Sequence, residues 1–202
     1  PRLNSSAASD VYKRQLMNVI SSKLKSVATA TAILFASSGT LWAQSSDLDS
    51  LFDRLQRVEA VDVAALETKI MLVWSKSGSA AMDFLLTRAK IAIELQDYNM
   101  AMVHLNALTD HAPDFAEGWN LSAVALYNMN KIGPALAAIE RTLTLEPRHF
   151  RAMEGLVFIL EDLGMYKFAL EVVHLIETIH PHAEILSTAG HRLDAKTQGQ
   201  AL

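Results

Sequence analysis

Glutamate and histidine are the residues of this 202-residue chain whose spacing comes nearest to a catalytic or metal-binding pattern. Glu171-Val-Val-His174 and Glu177-Thr-Ile-His180 are two Glu-x-x-His pairs, the ligand form of di-iron helix bundles. That chemistry needs the pairs on different helices, facing inward with two further carboxylates. Here both fall on one stretch of helical period, six residues apart, so they diverge by about 120° around the axis. His180-Pro181-His182 reads as a solvated turn, and the His-Glu-x-x-His pattern of zinc hydrolases is absent. There is no cysteine, hence no disulfide, thiolate metal site or cysteine nucleophile. Ser22-x-x-Lys25 resembles a fragment of a serine acylase site but has no partners, and no phosphate loop or Gly-x-Ser-x-Gly elbow occurs. Eight methionines, Met82, Met129 and Met153 among them, fall mostly at core spacings and read as gap-fillers. No cofactor and no catalysis are expected. A metal-dependent enzyme using Glu171, His174, Glu177 and His180 is the rival reading.

The elements that carry these residues declare themselves through a period. Ala101, Ala135 and Ala169 are spaced by 34 residues, and so are Pro113, Pro147 and Pro181. Leu95, Met129 and Leu163 share a column; Tyr98, Ile132 and Tyr166 share another; Leu105, Ile139 and Val173 a third. A period of this length marks a stacked-repeat protein in which each unit buries its apolar side on the next. A small alanine lets two antiparallel helices approach closely, and the proline stands where the second helix has ended. The fold class is all-α: an α-solenoid of helix-turn-helix units with capping helices at both ends.

These columns, with Trp119 and Gly164, resemble the tetratricopeptide repeat over roughly half of the chain. Arg88 and Ser122 depart from the pattern at a normally apolar place that Leu156 keeps, and Ala89, Ala123 and Val157 replace a small glycine, which predicts looser pairing. The resemblance implies a concave wall made by the first helix of each unit. Its lining would be Asp83, Leu86, Lys90, Ile93 and Glu94, then Glu117, Asn120, Val124, Tyr127 and Asn128, then Arg151, Glu154, Phe158, Glu161 and Asp162. Of these, Lys90, Asn120, Val124, Tyr127, Asn128, Arg151, Glu154 and Phe158 are the expected peptide-binding residues. Tyr127 and Phe158 would act as anchors, Asn120 and Asn128 as backbone partners, Lys90 and Arg151 as carboxylate partners. The family's clamp for chaperone tails is not expected, because Leu86 stands where it needs lysine and Lys90 where it needs asparagine. Glu154, Glu161 and Asp162 favour a basic or neutral segment at the far end.

In chain order, residues 1–16 are polar and aperiodic and read as a non-native leader. Residues 17–43 read as a signal peptide: Lys23 and Lys25, the apolar run Val27 to Ala36, then small residues with cleavage after Ala43. The run of about ten apolar residues falls short of the ~20 that span a bilayer, so no stable membrane insertion is expected after cleavage. Residues 44–79 hold two capping helices. The first starts at Asp47 with Leu48, Leu51, Phe52, Leu55 and Val58; the second runs from Val63 to Trp74 with Leu66, Ile70, Val73 and Trp74 inward. Both should cover the open side of the first unit. Ser79 then caps the next helix, with Asp83 in its first turn.

Residues 80–194 hold three units, with paired helices near 82–95 and 99–112, 116–129 and 134–146, and 150–163 and 167–180. Asp114 with Glu117 predicts a capping box, and Pro134 suits a first helical turn. A closing helix over 183–194 presents Leu186, Ala189 and Leu193, and 195–202 is a tail.

Residues 44–202 carry 13 basic and 21 acidic side chains, about −8 net, which argues against nucleic acid or an anionic membrane as partner. The expectation is a periplasmic adaptor that binds a protein or peptide, with a role in envelope assembly or scaffolding. It is similar to small exported repeat proteins of Gram-negative bacteria, on the runs Phe115 to Asn120 and Glu146 to Phe150. Self-association through an uncapped end is a further option.

Overall fold

The periodic columns become paired helices because each apolar stripe needs a partner and each Ala column permits close contact. The computed structural model describes residues 39–57 and 62–199, with side chains over 47–57 and 62–197. Helices α1 (Gly39–Arg57) and α2 (Val63–Trp74) precede three hairpins. The hairpins are α3 (Ala80–Glu94) with α4 (Tyr98–His111), α5 (Ala116–Asn128) with α6 (Ile132–Leu145), and α7 (Phe150–Asp162) with α8 (Tyr166–Ile179). Two short helices follow, α9 (Glu184–Thr188) and α10 (Gly190–Gly199). No strand occurs among the described residues; α1 packs on α2, and from α3 onward each helix packs on the next. The leader and most of the signal-peptide stretch lie outside the described residues. So does Val58.

Ala101, Ala135 and Ala169 are each fully buried at equivalent crossings, and Leu105, Ile139 and Val173 are buried beside them. A larger side chain there would force the two helices apart. Ala89, Ala123 and Val157 are buried as well, so the expected looseness at that column is not seen. Ser122 tolerates burial because its hydroxyl donates to the Gly118 carbonyl at 2.8 Å. At Gly118 itself an added Cβ would lie 3.1 Å from Leu108 Cδ2, so α4 and α5 approach there as closely as glycine permits.

A column that sequence reading left incomplete joins the helices of each unit. Gln96, Asn130 and Gly164 all take positive φ, at 58°, 58° and 70°. In every unit the next amide reaches back five residues, from Asp97 to Ala92, Lys131 to Leu126 and Met165 to Leu160, at 2.8 to 2.9 Å. This is a Schellman close, which ends a helix by passing one residue through the left-handed region.

Four local expectations need correction. Helix α1 begins at Gly39, ahead of Asp47 and across the expected cut site. The Asp114–Glu117 capping box does not form: Phe115 is the N-cap, Asp114 pairs with Arg141 at 2.9 Å, and Glu117 turns into the trough. Ser79 holds the N-cap position without a side-chain bond, while Asp83 accepts the Ser77 amide at 2.7 Å instead. The closing helix breaks at Ala189 into α9 and α10; Ile185, Ala189 and Leu193 are buried, and Leu186 only partly.

Candidate functional site: a half-occupied trough

The largest departure concerns α1 and α2. The sequence places them over the open side of the first unit, but their side chains meet the third. Phe52 and Trp74 are buried against Phe150, with ring centroids 6.4 and 5.1 Å away. Trp74 stacks on His149 at 4.0 Å, and Phe150 sets its edge against His180 at 5.0 Å. Around these rings, Asp49 pairs with Arg148 at 2.7 Å, and Glu67 reaches Arg151 at 3.5 Å and His180 Nε2 at 2.7 Å. At the other end of α2, Lys90 donates to Ser75 Oγ at 2.7 Å. Helix α2 therefore lies against the start of α7 and the end of α8, along part of the wall that the repeats were expected to offer a ligand.

His180 is consequently not in a solvated turn. It is fully buried, as is His149, while His182 is exposed. His149 is the N-cap of α7: its Nδ1 accepts the Ala152 amide at 3.2 Å. The hydrogen then sits on Nε2 and is donated to Glu117 Oε2 at 3.2 Å. Glu117 also accepts from Asn120 at 3.0 Å and pairs with Lys90 at 3.4 Å. Burial pushes the Glu117 carboxyl up, but His149, Lys90 and Asn120 together outweigh it and leave the group below its ordinary value. Glu154 goes the other way: burial raises it, Arg151 offsets only part of that, and Glu67 adds to the rise.

Six of the eight expected binding residues, Asn120, Val124, Tyr127, Arg151, Glu154 and Phe158, come together around one pocket of ≈ 300 Å³, floored by Ile139, Ala152 and Ile159. Phe158 is 52% exposed and Val124 37%, while Asn120 is buried. Tyr127 donates its hydroxyl to Asp162, and this bond pushes the phenol up to about 12. Arg151 is already engaged by Glu154 at 2.9 Å as well as by Glu67. Lys90 stands outside this pocket at the end of α2, and Asn128 spends its amide on the Val124 carbonyl at 2.8 Å. The two cations expected to meet partner carboxylates are thus paired within the chain. What remains open is apolar, with carboxylates at its margin.

Glu171, His174 and Glu177 are exposed, and the fourth member of the rival metal set, His180, faces Glu67. Among the described residues no three Glu, Asp, His or Cys side chains are grouped to hold a metal. No described helix is long and apolar enough to cross a membrane.

No family model matches the chain. A TPR repeat-containing protein of Rhizobium etli is 34% identical over 135 residues, a stretch covering 66% of this chain and 66% of that protein. The chain belongs to the tetratricopeptide repeat (TPR) family. Solved structures carry the same fold. The TPR domain of Arabidopsis OM64 superposes with a TM-score of 0.53 at 16% identity, over 56% of this chain and 93% of that one. The TPR2B domain of yeast Sti1, in its pHsp70 complex, gives 0.53 at 21% identity over 60% and 99%. A longer Sti1 piece, the TPR2AB domain in its pHSP90 complex, gives 0.51 at 16% over 80% and 66%. In this TPR protein Leu86, at the place the chaperone-tail clamp gives to lysine, is buried.

Sequence reading missed Glu67, Trp74, His149, Phe150 and His180 as one cluster. In the sequence Trp74 reads as part of a core stripe, and Phe150 carries no motif that gives it a role. Only pairing across the fold unites them, since Glu67 and His180 are 113 residues apart in the chain.

Proposed function

We propose that this TPR protein is a non-catalytic adaptor that holds a segment of another polypeptide in the open part of its trough, between α5 and α7. The observation that carries this is the ≈ 300 Å³ pocket, where Phe158 and Val124 stay exposed although every neighbouring cation is internally paired. Such a pocket favours an apolar side chain flanked by neutral or basic groups, because Glu154 and Asp162 stand at its edge. The Sti1 domains of the same fold are named in complexes with pHsp70 and pHSP90, which supports a polypeptide ligand without supplying its identity.

The double substitution Tyr127→Ala with Phe158→Ala tests it. The expected result is loss of the proteins that the unaltered chain retains on a column, with an unfolding midpoint that barely moves. If the same proteins stay bound, or if the double variant loses several kcal/mol as core truncations do, the reading fails.

The setting we infer is the periplasm of a Gram-negative cell, with a scaffolding role in envelope assembly. Lys23, Lys25 and the apolar run Val27 to Ala36 support export. Intact mass of the protein recovered from a periplasmic fraction should place the mature terminus near Gln44; a terminus upstream of Lys23 would end that part of the proposal.

A further inference from the structure

Helix α2 is held the way a ligand would be. Its Glu67 carboxylate bridges Arg151 and His180 from one side. Two helical turns later, its Trp74 indole lies between His149 and Phe150. Leu66 and Ile70, on the same face, are buried with them. The groups of the repeats that receive α2 belong to the start of α7 and the end of α8, and Phe52 of α1 backs the Trp74 ring at 6.1 Å.

Three features show that the fit is not that of a finished core. The Trp74 indole N–H and His180 Nδ1 are buried without a hydrogen-bond partner among the described residues, a state that the folded chain normally avoids. A cleft of ≈ 610 Å³ opens beside Trp74, bounded by Leu48, Val73, Trp74, Pro113, Phe115 and Arg148. And α2 joins the repeats through Ser75 to Ser79, a short connection that contains Gly78 at φ 82°.

We propose that the trough is a helix-binding surface, that α2 is its resident occupant in cis, and that a partner presents an amphipathic helix with a carboxylate and an aromatic ring two turns apart and displaces α2. This rests on the adaptor reading only for the existence of that partner. The contact in cis stands on the distances above. Displacement would release Arg151 from Glu67 and Lys90 from Ser75, leaving them with Glu154 and Glu117, and join the covered half of the trough to the pocket at Val124 and Phe158.

The probe is a fluorescein-labelled synthetic peptide of residues 62–77, titrated against the full chain and followed by anisotropy. The full-length double variant Glu67→Lys with Trp74→Ala weakens the resident helix and leaves the trough intact. It should bind the peptide at least tenfold more tightly than the unaltered chain, and a peptide carrying Trp74→Ala should lose that gain. Equal binding to both chains, or binding to neither, overturns the proposal. A second readout needs no variant: excess peptide should speed amide exchange across 63–74 of the unaltered chain while exchange at α5 and α7 stays slow, and unchanged exchange at 63–74 overturns it equally. The two readings fail separately. A Tyr127→Ala with Phe158→Ala chain whose α2 still yields to peptide, but whose partner capture is unaffected, sinks the pocket as the binding site and spares the helix exchange.

Discussion

The first and third repeats are built on one plan and finished in opposite ways. At the third place of each unit stand Phe84, Gly118 and Ala152, and at the tenth Ile91, Ala125 and Ile159. In the second and third units these are buried under the preceding hairpin, whereas Phe84 is 63% and Ile91 43% exposed. Arg88, the residue between them that departs from the apolar pattern, is exposed too. The third unit has its last helix covered by α9 and α10, with Leu193 fully buried and Arg192 gripping Glu161 at 2.7 and 3.0 Å. Its front edge is covered as well, by α1 and α2. A pair of amphipathic helices needs some apolar surface to cover, and two surfaces were on offer here. The aromatic cluster around Phe150 took them, and the stacking side of the first unit was left bare.

The sharpest way to break this comparison is to truncate one aromatic at each place. Phe150→Ala removes a fully buried ring that touches Phe52, Trp74 and His180, and should cost about 3–5 kcal/mol in urea unfolding. Phe84→Ala should change stability by no more than about 0.5 kcal/mol, as an exposed surface substitution does. If Phe84→Ala costs as much as a core truncation, something covers the first unit after all. Light scattering of the unaltered chain at two concentrations would then show whether the cover is a second copy.

A second contrast lies between the two carboxylates of the trough. Glu117 is held below its ordinary value, so its contribution to stability is present above the unfolded carboxylate value near 4.5 and is lost as pH falls through the lower folded value. Glu154 is held above its ordinary value, so its ionised form opposes folding at neutral pH, and that opposition is relieved as pH falls. Glu117→Gln should therefore cost about 1–3 kcal/mol at pH 7, since it weakens charge-assisted bonds from His149 and Lys90. The cost should shrink when urea midpoints are compared at pH 3.5. Glu154→Gln should be neutral or mildly stabilising at pH 7. An equal loss in both variants would mean that Arg151 dominates burial at Glu154.

The repeat body was legible because it is written locally. Alanine and proline columns of fixed spacing set every hairpin, and the observed helix limits fall within two residues of those the register predicts. The open half of the trough followed from the same register, which brought Asn120, Val124, Tyr127, Arg151, Glu154 and Phe158 to one pocket. The covered half did not follow. Helix α2 was placed within its own limits, Val63–Trp74, yet its docking depends on Glu67 meeting Arg151 and His180 far along the chain. An amphipathic stripe states that a helix must be covered and is silent about which surface covers it. The capping box failed for a related reason: the short motif at Asp114 and Glu117 was outbid by Arg141 on one side and by His149 with Lys90 on the other.

The smallest expected effect sharpens the same contrast between units. The turn inside the third unit uses Gly164 at φ 70°, and the equivalent turn in the first uses Gln96 at φ 58°. A side chain in the left-handed region brings Cβ toward the following carbonyl, at roughly 1–2 kcal/mol for most residues, and glycine escapes this. Part of the relief is lost again because glycine widens the unfolded ensemble. Gln96→Gly should therefore raise stability by about 0.5–1 kcal/mol, read as a higher urea midpoint with an unchanged slope. Asn130→Gly should gain less, since asparagine visits this region more readily. The ordering is what matters. If Asn130→Gly gains more than Gln96→Gly, the first unit opens readily at its turn, and its stability is limited by the bare stacking side at Phe84 and Ile91 rather than by the backbone at Gln96.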